Sequence, residues 1–232
     1  ATSEHGTGNG SKNWQLDSLT PSISVIADKS PNAALWFNSA LNLTASASDA
    51  TSGLASFEYS LDNTIWTNYA TTLNFTDGIS TIYFRASDNA GNTQNVIQEI
   101  KIDSQDPQLT QNITGTLGAN GWYISTVNIE NAQSDPAPSS GIQNFETSFD
   151  GSIWDAYNAL LNLSDGVYVL QSRVIDNADN QAQNAVAINI DSTPPTINGT
   201  LVGQLGARNW YLPSSSRSVC LRHNFRDCLN RI

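Results

Sequence analysis

The chain has 232 residues, a net charge of −11 and only 13% charged side chains, with no methionine and many Asn, Ser and Thr. An acidic surface repels nucleic acid, which excludes that class of partner. No apolar run approaches the ~18 residues that a membrane span needs, and no basic-then-apolar leader opens the sequence. The composition is that of an extracellular β protein, whose export signal and anchor are expected outside this stretch.

Residues 1–16 read as an N-terminal remnant or linker. From Asp17 onward the chain repeats itself at a spacing of 86 to 88 residues. Asp17-Ser-Leu-Thr-Pro21 recurs as Asp103-Ser-Gln-Asp-Pro107 and as Asp191-Ser-Thr-Pro-Pro195. Trp36-Phe37 falls on Trp122-Tyr123 and Trp210-Tyr211, Ser52-Gly53 on Ser140-Gly141, and Trp66 and Tyr69 on Trp154 and Tyr157. Arg85-Ala-Ser-Asp88-Asn-Ala-Gly-Asn92 meets Arg173-Val-Ile-Asp176-Asn-Ala-Asp-Asn180. Solenoid turns run at ~20–50 residues, so units of this length are small domains in series. The expected modules are 17–102, 103–190 and an incomplete third at 191–211. The modules contain no cysteine, so each must hold itself together through a hydrophobic core.

Within a module the apolar period is two. Phe57, Tyr59 and Leu61 alternate with Glu58, Ser60 and Asp62; Phe145, Thr147 and Phe149 do the same with Glu146, Ser148 and Asp150. Seven strands are expected in the first module, near 22–27, 41–48, 54–61, 65–69, 72–76, 80–87 and 94–102, separated by turns rich in Asp, Asn and Gly. Seven strands make an immunoglobulin-type sandwich, so the fold class is all-β, in tandem.

The tail 212–232 departs from this pattern. Arg217, Arg222, Arg226 and Arg231, four of the ten basic residues, lie there with both cysteines, Cys220 and Cys228. With one permitted set of codons for Cys220–Leu229, reading one base later gives Ala-Ser-Ala-Thr-Thr-Ser-Gly-Ile-Ala. That is close to Ala45–Ala55, so a frameshift is the expectation here. A zinc site is a poor fit, because the eight-residue cysteine spacing with His223 between them matches no standard pattern.

The ordered motifs Asp-Ser-x-x-Pro, Gly-x-Asn120-Gly-Trp122-Tyr, Asp49-x-x-Ser-Gly53, Ser60-Leu-Asp-x-x-x-Trp66, Asp77-Gly78 and Arg85-Ala-x-Asp88-x-Ala-Gly-Asn92 resemble the bacterial immunoglobulin-like repeats of secreted and cell-surface exoproteins over residues 17–211. The resemblance implies spacer, stalk or adhesive modules outside the cell, linked to further repeats, with a polysaccharide or a cell-surface protein as partner and no catalysis. The second copy departs from the motif by placing Asp179 at the position of Gly91, where a different turn is expected.

Trp66 and Trp154, like Trp36 and Trp122, read as the large buried anchors that a sandwich needs; the competing reading is a sugar-stacking platform beside a secreted enzyme. Glu58 with Arg85 and Glu146 with Arg173 are expected as cross-strand ion pairs. Using Glu58 with an Asp as paired glycosidase carboxylates requires a cleft that a bare sandwich does not provide. No Ser-His-Asp set can be assembled within the modules, since His5 and His223 lie in the ends. Asn-x-Ser/Thr triplets such as Asn42-Leu-Thr44 and Asn112-Ile-Thr114 follow from composition. Asp103, Asp106, Asp135 and Asp176 are expected at the pole that receives the incoming linker, where hard oxygen ligands converging from several loops suit Ca²⁺.

Overall fold

The structure, a computed structural model, describes residues 15–199 and the strand pairs 204–205 and 211–212. The chain divides into two units, residues 1–192 and 193–232. Among the described residues there is no α-helix.

The first unit carries two sandwiches with separate cores. In the first module, β1 (Ser22–Ala27), β2 (Leu41–Ser48) and β5 (Leu73–Phe75) form one sheet in the order β1-β2-β5. Facing it are β3 (Leu54–Ser60), β4 (Thr67–Asn68), β6 (Gly78–Asp88) and β7 (Thr93–Ile102), in the order β4-β3-β6-β7. Every ladder within these sheets is antiparallel. Alternation decides which side chains enter. Along β6, Ile82, Phe84, Ala86 and Asp88 point inward and are buried, while Tyr83 and Arg85 stay on the outer face. Leu41, Leu43, Phe75, Ile100 and Ile102 complete the core.

The second module repeats the plan. Its small sheet is β8 (Gln108–Thr114), β10 (Val127–Ser134) and β13 (Leu161–Leu163), in the order β13-β10-β8. Its large sheet is β9 (Trp122–Tyr123), β11 (Ile142–Ser148), β12 (Asp155–Ala156), β14 (Gly166–Asp176) and β15 (Gln181–Ile190), in the order β12-β11-β14-β15-β9. The short β9 runs parallel to β15, with Tyr123 opposite Ile190. In the first module that pairing shrinks to a single parallel bridge, Phe37 to Ile102. The second core consists of Val127, Ile129, Leu170, Ile188 and Ile190. In the second unit, β16 (Gln204–Leu205) pairs with β17 (Tyr211–Leu212), placing Leu205 opposite Tyr211 as Leu117 lies opposite Tyr123. The frameshift reading and the Cys220/Cys228 pair lie outside the described residues.

The alternation differs from expectation at the end of β3. Leu61 and Phe149 are 61% and 47% exposed, whereas Ser60 and Ser148 are buried. The strand stops at Ser60 because the serine hydroxyl and the following aspartate organise a turn. Ser60 Oγ bonds Asp62 Oδ1, and that oxygen accepts the N–H groups of Thr64 and Ile65. Asp150 repeats the arrangement with Ser148, Ser152 and Ile153.

The tryptophans are not the central anchors. Trp36, Trp66 and Trp154 are half-buried and Trp122 is 39% exposed. The interior of the first module is filled instead by Phe84, stacked on Phe57 and edge-on to Tyr69. The Tyr69 hydroxyl reaches across the sandwich and accepts the N–H of Ala45; Tyr157 does the same for Asn131. A phenol suits this position because its ring packs in the core while its hydroxyl satisfies a backbone donor.

Candidate functional site

Each module carries a cluster of three carboxylates at the pole where its linker enters. In the second module these are Asp103, Asp135 and Asp176, with one carboxylate oxygen from each lying within 4.8 Å of the others. Asp106, expected in the same group, is exposed and lies outside it. Asp17, Asp49 and Asp88 form the same cluster in the first module. Sequence reasoning missed that first cluster, although carrying the second set back through the internal repeat would have found it.

The poles are built from turn chemistry. Asp176 ends the inward row of β14, and its Oδ1 accepts the N–H groups of Ala178 and Asn180 at 2.8 and 2.9 Å. The Asn180 amide bonds Asp176 Oδ2 at 2.8 Å and the Asp103 carbonyl at 2.8 Å. Asp103 Oδ2 accepts the Ser140 N–H at 2.7 Å, and Asp135 Oδ2 accepts that of Gly141 at 2.7 Å. Gly141 sits at φ 85° and Gly53, its counterpart, at φ 80°, a left-handed conformation that explains the recurring Ser-Gly pair. Asp135 Oδ1 is shielded from solvent and has no hydrogen-bond partner.

Two equivalent aspartates titrate in opposite directions. Burial pushes the Asp176 carboxyl above the ordinary 3.8, outweighing its bonds from Asn180 and Ala178, and the Asp103 charge adds to the rise. Burial also pushes Asp88 upward, yet the bonds from Asn92 and Ala90 together prevail and hold it below 3.8. The Ser52 hydrogen bond, followed by that of Leu19, lowers Asp17.

The second pole faces the first module, and the linker is part of both. Asp103 is fully buried, and its N–H donates to the Phe37 carbonyl at 2.9 Å. Across the joint, the Asn32 amide donates to the Asn177 carbonyl at 2.8 Å and to Asp179 Oδ2 at 2.9 Å. Asp191 N–H meets the Tyr123 carbonyl at 2.9 Å, so the next linker leaves the second module as Asp103 leaves the first. The Trp-aromatic motif is therefore a joint element: its second residue, Phe37 or Tyr123, packs on the core and offers its carbonyl to the following aspartate.

Asp179 does not change its turn. Its φ is 68° against 95° for Gly91, and the same pair of backbone bonds closes both turns. What the carboxylate adds is the contact with Asn32.

On the outer faces of the large sheets, the structure places Arg85 2.8 Å from Glu58 and Arg173 2.8 Å from Glu146. Each guanidinium also lies over a tryptophan ring, Arg85 at 4.1 Å from the centre of Trp66 and Arg173 at 4.0 Å from that of Trp154. The tryptophans are half-buried because an arginine covers one ring face, a contact of about 0.5–1 kcal/mol at exposed sites.

No family model and no curated protein matches the chain. Among solved structures, the fibronectin(III)-like modules of CbhA from Clostridium thermocellum match with a TM-score of 0.37 at 13% identity, over 76% of this chain and 100% of theirs. The three N-terminal domains of the highly immunogenic outer capsid protein of bacteriophage RB49 match at 0.31 and 14%, over 75% and 59%. Carbohydrate-binding modules of the β-sandwich superfamily match at 0.32 and 10%, over 76% and 87%.

Proposed function

We propose that this chain is a non-catalytic spacer or adhesive segment of a larger bacterial secreted or surface protein, assembled from immunoglobulin-like modules at 17–102 and 103–190 and the start of a third at 191–211. The observation that carries the reading is the buried joint. A linker whose aspartate is fixed by bonds to Phe37, Ser140 and Asn180 transmits orientation from one module to the next, which a free tether does not. The outer-face carboxylates Glu58 and Glu146 are each engaged with an arginine, as suits a structural role. Solution scattering from the whole chain tests the proposal: two modules held end to end are expected, and a compact side-by-side pair overturns it.

Calcium at the second pole is part of the same proposal. The donor set is all oxygen, three carboxylates converge, and Asp135 Oδ1 has no partner. Asp103, Asp135 and Asp176 would hold the ion, which would neutralise like charges and stiffen the joint. A melting temperature unchanged between chelator and millimolar Ca²⁺ removes this part.

The polysaccharide reading keeps one supporting observation. An open depression of about 430 Å³ on the outer face of the first module is lined by Asn63, Trp66, Tyr83, Arg85 and Asn95 among others. Gly151 and Gln171 replace Asn63 and Tyr83 in the second module. Retardation in polysaccharide gels that is lost on Tyr83→Ala would favour this reading, and unretarded wild-type chain would end it.

A further inference from the structure

Four positions between the sheets differ between the modules as a set. In the first they are Val25, Ala45, Phe84 and Val96; Phe84 is fully buried and the others pack against the same cluster. The corresponding residues on β8, β10, β14 and β15 of the second module are Gln111, Asn131, Ser172 and Asn184. At Gln111, Asn131 or Ser172 the exchange alone would leave an amide or hydroxyl partly or fully withdrawn from solvent. Together they bond one another. Asn184 Nδ2 donates to Gln111 Oε1 at 3.4 Å, Gln111 Nε2 donates to Ser172 Oγ at 3.3 Å, and Asn131 Nδ2 donates to that same oxygen at 3.1 Å.

Burial deepens along this chain of groups. Asn184 is exposed, Gln111 half-buried, Asn131 6% exposed and Ser172 0%. The inner end is incomplete: Asn131 Oδ1 is closed off from solvent and no donor among the described residues reaches it. Ser172 Oγ already accepts two bonds and has its own hydrogen to give. Buried amide oxygens without a donor are rare in folded proteins, and water is the usual partner where a site is polar and has room. At the position of the first module's Phe84 ring the second module carries only the small side chain of Ser172.

We propose that the second module binds water between its sheets, at Asn131 Oδ1 and Ser172 Oγ, exchanging with solvent along Gln111 and Asn184. The ligand is a molecule small enough for that space that both donates and accepts hydrogen bonds. In the first module Phe84 occupies the equivalent volume.

Crystals of the whole chain that diffract well enough to resolve solvent test it. An ordered water within hydrogen-bond distance of both Asn131 Oδ1 and Ser172 Oγ is expected, with none beside Phe84. A protein donor on Asn131 Oδ1 and no solvent there overturns the proposal. In solution, water relaxation dispersion is compared between wild type and the variant Gln111→Val/Asn131→Ala/Ser172→Phe/Asn184→Val, which carries the residues of the first module. Loss of at least one long-lived water is expected, and an unchanged dispersion contradicts the site. Should that variant not fold, Asn131→Leu removes the amide with little change in size; the same loss is expected, and its absence has the same force.

Discussion

The two modules share a strand plan, an ion pair over a tryptophan, a tyrosine bond across the sandwich and an acidic pole, yet they fill their centres differently. The first packs Phe84 against Phe57 and Tyr69; the second joins Gln111, Asn131 and Ser172 by hydrogen bonds. The comparison teaches that the frame is set by backbone pairing and by the alternating apolar rows at each sheet. The middle of the core can then be apolar or polar, provided each buried polar group finds a partner in the protein or in bound water.

Truncating the centre of each module gives the largest contrast. Phe84→Ala should destabilise the first module by about 3–5 kcal/mol, as expected for a buried aromatic, while Ser172→Ala in the second, which leaves the Gln111 and Asn131 amides without their acceptor, should cost about 1–3 kcal/mol. Hydrogen exchange resolved by residue reads each module separately, and equal losses would erase the distinction.

The poles differ next. Asp176→Ala frees two backbone N–H groups and the Asn180 amide, an expected loss of about 1–3 kcal/mol confined to the second module. The wild-type pH profile should also split. The folded chain holds the Asp176 proton more tightly than the unfolded chain, so this group lowers stability as pH rises from 3.8 through its raised value. Asp88 acts in the opposite sense, adding stability above 3.8 that is lost as pH falls through its lowered value. Exchange rates followed against pH in chelator test this, and parallel profiles in the two modules would contradict it.

The outer faces should differ least between modules. Arg85→Met and Arg173→Met each remove a partly exposed ion pair and a ring contact, with an expected cost of up to about 1 kcal/mol apiece. Matching shifts in tryptophan emission should accompany both. The smallest effect belongs to Asp179→Gly, which keeps the left-handed turn and loses the Asn32 bond. Module stability should move by less than about 0.5 kcal/mol. The coupled tumbling of the two modules in NMR relaxation should weaken, and unaltered coupling would show that the Asn177 contact and the Asp103 linker bonds suffice at the joint.

Much of the fold was legible in the chain because it depends on short spacings. Alternation in Phe57-Glu58-Tyr59 and the Asp-Gly turns located the strands, with an error at Leu61 where the Ser60–Asp62 turn overrides the period. The site was legible in part. Asp103, Asp135 and Asp176 come together, but Asp106 does not, because the linker turns its side chain to solvent while Pro107 enters the module. For the tryptophans, size and recurrence suggest core or edge packing, and Trp66 and Trp154 lie on the outer faces of their sheets, each with an arginine over its ring.

By itself the sequence determined the repeat, the all-β class, the strand positions and the pairing of Glu58 with Arg85, because alternation along a strand fixes which side chains share its polar face. Only the tertiary structure decided that Asp103 is buried in the module that follows it, and that Gln111, Asn131, Ser172 and Asn184 meet. Those residues stand on separate strands of two sheets, and their meeting depends on how the sheets pack face to face, a distance that no spacing along the chain encodes.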